Sequence, residues 1–151
     1  MKTLLKLVGA VMVVFLFIGC TTSKSTVSNH VDLSRYKYAS VINNDTYHIP
    51  AELMEYEIQL YDAVETSGLQ LVSDMRIFEL SPEEQSKLLL VKYGVTQSEN
   101  ESIVTVNFID YLTGRPVVSC RGAYGLSLSY GKDLQIAIKK VEKQIASTFR
   151  K

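Results

Sequence analysis

Apolar residues recur along this chain at several spacings, and each spacing predicts a different element. An unbroken apolar run from Leu7 to Ile18, preceded by Lys2 and Lys6, is too short to cross a bilayer of roughly 30 Å as a helix. Tyr36 to Ile42 predicts a strand, with turn chemistry after it in Asn43-Asn44-Asp45. Leu53, Ile58, Leu60, Tyr61 and Val64 then fall at helical spacing behind Pro50, and Gly68 stands where a helix ends. Alternation of Leu69, Leu71, Met75 and Ile77 predicts a second strand, half buried. Ser81-Pro82-Glu83-Glu84 has the form of a capping box over one short turn of helix.

Two further strands, Leu88 to Thr96 and Ser102 to Tyr111, flank the wholly polar loop 97–101 and so predict a hairpin. Thr113-Gly114-Arg115-Pro116 makes the next tight connection, into a strand from Val117 to Leu126. From Lys132 the period changes again: Leu134, Ile138, Val141, Ile145 and Phe149 form one stripe, with Lys139, Lys140, Lys143, Arg150 and Lys151 elsewhere. The order β-α-β-β-β-β-α predicts an α+β two-layer sandwich. Its five-stranded antiparallel or mixed sheet should carry two amphipathic helices on one face.

The N-terminal run changes the picture of the whole molecule. A charged start, an apolar stretch and small Gly19 have the form of a secretory signal, and Phe17-Ile18-Gly19-Cys20 resembles the lipobox of bacterial lipoproteins. The match departs from the commonest pattern in placing Phe17 where Leu usually stands. The resemblance implies that Cys20 becomes the first residue and carries acyl chains such as palmitate, which anchor it in a membrane. Thr21 after the cysteine, by the sorting rule of enteric lipoproteins, implies the outer membrane, facing the periplasm. The expected organisation is a signal peptide 1–19, a flexible Ser/Thr-rich tether 20–30 and a single α+β domain 31–151.

Removing residues 1–19 takes away two lysines and no acid, which turns 16 basic and 16 acidic residues into a net charge of −2. Such a domain lacks the basic field that nucleic-acid binding needs. The lysine face of the last helix reads as a solvated surface, or as one lying near anionic lipid or glycan.

Candidate chemistry is sparse. If Cys20 is acylated, Cys120 has no disulfide partner, and it sits mid-strand as a small buried thiol ordinarily does. Strand alternation sends Arg121 to the opposite face from Cys120, so it would not activate the thiolate. A small thiol-dependent hydrolase using Cys120 and His48 is the alternative to a binding role, as is a carrier of a small apolar ligand between sheet and helices. His30 and His48 have no partner at metal-ligand spacing, and Gly125 to Lys132 departs from a phosphate-binding loop in spacing and in Asp133, so no metal or cofactor is expected.

Nine tyrosines and no tryptophan make a skewed aromatic set, and several of the tyrosines flank the second hairpin. Asp110, Tyr111, Arg115, Arg121 and Tyr124 are therefore the candidate partner-contact residues. Asp110, Thr113 and Gly114, forming an Asp-x-x-Thr-Gly hairpin before a glycine-bearing strand, together with the element order, resemble small envelope-assembly lipoproteins. Relatives in that sense are the activators of penicillin-binding proteins and the periplasmic domain of the curli-secretion lipoprotein. That resemblance implies a non-catalytic binding, assembly or regulatory module with an envelope protein partner.

Overall fold

The computed structural model describes residues 23–42, 51–98, 100–125 and 129–150. The elements are β1 (Lys24–Val27), β2 (Tyr38–Val41), α1 (Ala51–Glu65), β3 (Gln70–Leu71), α2 (Pro82–Gln85), β4 (Leu88–Gln97), β5 (Ser102–Asp110), β6 (Pro116–Tyr124) and α3 (Tyr130–Phe149). The six strands form one mixed sheet in the order β1-β6-β5-β4-β2-β3. β1, β6, β5 and β4 run antiparallel to their neighbours, whereas β2 pairs in parallel with both β4 and β3.

The architecture is α+β, with six strands in place of the expected five. The additional strand, β1, comes from the segment read as tether: Ser, Thr and Lys are weak strand formers, but β6 offers an unpaired edge, and residues 24–27 complete its ladder against residues 118–121. A second correction concerns 69–77, where only Gln70–Leu71 pair and a 3-10 helix occupies Asp74–Glu79. Local polar bonds win there. Asp74 Oδ1 accepts from the Met75 amide at 2.8 Å, and Arg76 Nε reaches Glu79 at 2.7 Å, offering the backbone a turn instead of a ladder. The capping box of α2 is present in full, Ser81 and Glu84 each bonding the other's amide.

Alternation in β5 divides the sheet into two faces: Val104, Val106 and Phe108 are wholly buried, and Ile103, Thr105, Asn107 and Ile109 are half-buried opposite them. Through the register, Leu89, Val91 and Tyr93 of β4 and Val118, Cys120 and Gly122 of β6 share the buried face. Both long helices cover that face. Leu134, Ile138, Val141 and Ile145 of α3 are buried, and Phe149 stacks tilted on Phe108 at 4.8 Å between centroids. Tyr56, Leu60, Ala63 and Val64 of α1 join the same core, and Tyr93 Oη donates to Glu57 Oε1 at 2.6 Å.

The approach of α3 to the sheet depends on Gly122. A β-carbon at that position would collide with the carbonyl oxygen of Ala137, so glycine facing alanine lets helix and strand backbones touch. Gln144, two turns further along α3, brackets the backbone of Arg121, donating to its carbonyl at 3.0 Å and accepting from its amide at 3.1 Å.

Candidate functional site

Asp110 closes the β5–β6 hairpin rather than facing a partner. It is 4 % exposed, and its two carboxylate oxygens divide their work. Oδ1 accepts from the Thr113 amide at 2.8 Å and the Thr113 hydroxyl at 2.9 Å, forming the turn, while Gly114 takes the left-handed φ of 66° that the turn requires. Oδ2 accepts from the Tyr36 hydroxyl at 2.7 Å and from Arg35 at 2.9 Å, tying the hairpin to the chain before β2. Burial pushes the Asp110 carboxyl up, but the bonds from Tyr36 and Thr113 and the Arg35 charge outweigh it and hold its pKa below the ordinary value. Tyr36 responds in the opposite sense, pushed up to about 12 by burial first and by the Asp110 carboxylate second.

The five residues expected to form one contact patch are not brought together. Tyr111 and the exposed Arg115 lie with Asp110 at the hairpin tip, whereas Tyr124 pairs with Ser102 at the far end of the same two strands. Eight residues of strand at about 3.3 Å each put roughly 26 Å between those ends. Arg121 lies between them, paired with Thr105 on the face away from the helices. Tyr124 is covered by Lys140, whose Nζ stands 5.1 Å from the ring centroid and donates to the Ala123 carbonyl at 2.9 Å. That contact folds the lysine back onto the protein, and burial lowers its pKa.

Cys120 is fully buried between sheet and α3, and burial raises its thiol to about 11, so it is held protonated. Arg121 faces away from it, as alternation requires. His30 is exposed, whereas His48 and Cys20 lie outside the described residues. Among the described residues no group of three or more His, Cys, Asp or Glu could hold a metal ion. No described helix is long and apolar enough to cross a membrane.

The surface that stands out is one the expected helical stripe did not isolate. α1 is apolar on two sides: Tyr56, Leu60, Ala63 and Val64 face the core, while Met54 and Ile58 are 60 % and 67 % exposed, with Tyr61 following on the same side at i, i+4 and i+7. The 3-10 helix adds Met75 and Phe78, 78 % and 77 % exposed. The two segments are neighbours, because Asp74 as well as Glu57 raises the Tyr61 phenol, after burial as the leading cause. Acid surrounds this patch. α1 carries five carboxylates and no cation, and Glu57 is held by Tyr93, whose pKa burial and that bond push upward. Ile58 was legible as part of an apolar stripe, but that stripe merged two faces. Only the separate phases of Met54-Ile58-Tyr61 and Tyr56-Leu60-Ala63 distinguish them.

No protein-family model matches the sequence, and no curated protein matches it. Solved structures do. A substituted form of the PelC dodecamer from Paraburkholderia phytofirmans is similar with a TM-score of 0.54 and 18% identity over 83% of this chain and 96% of that one. A second PelC dodecamer from the same organism gives 0.51 and 18% over 85% and 96%. A PDZ domain protein from Parabacteroides distasonis gives 0.55 and 15% over 85% of this chain, but only 35% of that chain is matched. At these identities the likeness shows a shared fold.

Proposed function

We propose that this chain is a lipid-anchored lipoprotein of the bacterial cell envelope, held through Cys20, which acts without catalysis as a binding or assembly module. Its place is the periplasmic side of the outer membrane, and its partner is another envelope protein. The observation that carries the binding role is the apolar surface of Met54, Ile58, Tyr61, Met75 and Phe78. Scattered apolar side chains are normal on a surface, but five on two adjacent segments, rimmed by carboxylates, have the form of an interaction site. The buried, protonated Cys120 supports this reading over a thiol hydrolase.

A photo-crosslinking side chain placed at Ile58 or Phe78 of the full chain in cells should capture one abundant envelope protein, and Cys20→Ala should abolish the capture. Crosslinks to abundant background alone would refute the role of this surface. The PelC structures are dodecamers, which favours a second reading in which the captured protein is another copy of this chain. A crosslinked band at twice the chain's mass separates the two.

A further inference from the structure

The sheet face opposite the helices has an unusual charge pattern. On β1, β4, β5 and β6 it presents Lys24, Thr26, Lys92, Gly94, Thr96, Thr105, Asn107, Ser119 and Arg121 among half-buried Leu90, Ile103 and Ile109. Three cations therefore stand on these strands without one carboxylate, in a domain that is net negative once residues 1–19 are removed. Lys24 and Arg121 are Cα partners, so two like charges are set directly across from each other, an arrangement that is unfavourable until an anion joins them. The segment bearing the candidate anchor runs along this sheet's β1 edge. Ser23 is already fixed there, its hydroxyl accepting from the Ala123 amide at 3.5 Å. Three residues separate Ser23 from Cys20 and can span about 10 Å at most, close to the roughly 8 Å over which charges act at physiological ionic strength. β1 to β4 extends about 14 Å further, three inter-strand spacings.

We infer that this face lies on the membrane surface, with Lys24, Lys92 and Arg121 binding the phosphates of anionic phospholipid headgroups. The inference rests on acylation at Cys20. The helix layer is the competing surface, since Lys139 and Lys143 of α3 are exposed. On that helix, however, Glu142 interrupts the lysines and Lys140 is folded onto Tyr124. Laying the sheet on the membrane also turns α1, with its five carboxylates and its apolar surface, toward the periplasm where a partner can reach it.

The test uses lipidated protein purified from membranes, its Cys20 acylation checked by mass spectrometry, and reconstituted into vesicles carrying a headgroup-level quencher. One fluorophore is attached at Thr105→Cys on the sheet face and another at Ser147→Cys on α3, the buried Cys120 being unreactive. In phosphatidylglycerol vesicles quenching should be several-fold stronger at residue 105 than at residue 147, and the difference should vanish in phosphatidylcholine. Replacing Lys24, Lys92 and Arg121 by Gln should weaken the contact by about a hundredfold in its equilibrium constant, at the usual contribution of each cation near an anionic surface. Lys24→Gln with Lys92→Gln alone should give an intermediate loss should Arg121→Gln disturb folding. Equal quenching at both positions, or stronger quenching at residue 147, in protein shown to be acylated overturns the inference and leaves the lipoprotein reading standing. Absence of acyl chains at Cys20 overturns both.

Discussion

At the scale of single residues, Asp110 shows how a carboxylate that looks available in sequence is committed in the fold. It accepts four hydrogen bonds, and the Arg35 guanidinium among its partners has a side chain that is 49% exposed, so the charge pair itself contributes little. Most of the stabilisation comes from the Tyr36 hydroxyl and the Thr113 turn. Asp110→Ala should therefore lower unfolding stability by about 3 kcal/mol, measured by urea denaturation, while Arg35→Ala should cost about 0.5 kcal/mol. The pH dependence follows from the directions of the shifts. Because the folded Asp110 pKa is depressed, its contribution is complete above the ordinary carboxylate value of 3.8 and is lost as pH falls through the lower folded value. Cys120 and Tyr36 are raised, so their contributions are complete below 9.0 and 10.0 and disappear as pH rises through about 11 and about 12 respectively. Thermal unfolding should show an alkaline decline that begins near pH 9, and Cys120→Ala should remove its first part.

At the scale of elements, α1 and α3 differ in what their sequences disclose. α3 has one apolar stripe, so Leu134, Ile138, Val141 and Ile145 were readable as core and are core. α1 has two, and periodicity alone cannot say which one the sheet covers, since that is decided by where β2 and β4 place Val41, Val91 and Tyr93 beneath it. The distinction is measurable. Leu60→Ala should destabilise by about 2–5 kcal/mol, whereas Ile58→Ser should stay within about 0.5 kcal/mol and instead reduce partner crosslinking. Gly122→Ala should cost about 1–3 kcal/mol, because the added methyl meets the Ala137 backbone and α3 must move outward. Hairpins β4–β5 and β5–β6 were legible because turn residues and strict alternation agree. The 3-10 helix at Asp74–Glu79 was not, because Leu69 to Ile77 alternates as a strand would, and only the side-chain bonds of Asp74 and Arg76 break the ladder. The supposed patch from Asp110 to Tyr124 failed for a geometric reason: fourteen residues apart in a hairpin can be adjacent or at opposite ends, and the register put them at opposite ends.

At the scale of the whole molecule, the sheet is assembled out of sequence order. β1, the first described strand in the chain, pairs with β6, the last, so residues 24–27 find their partners at 118–121. In a chain exported from its N-terminus, everything through β6 must emerge before that first strand can dock. Until then the stretch around Cys20 has no folded domain pressed against it and stays open to the enzymes that cleave and acylate it. Completion of the ladder afterwards draws the modified end in against the sheet, so that maturation of the N-terminus and closure of the fold occur in a fixed sequence in time.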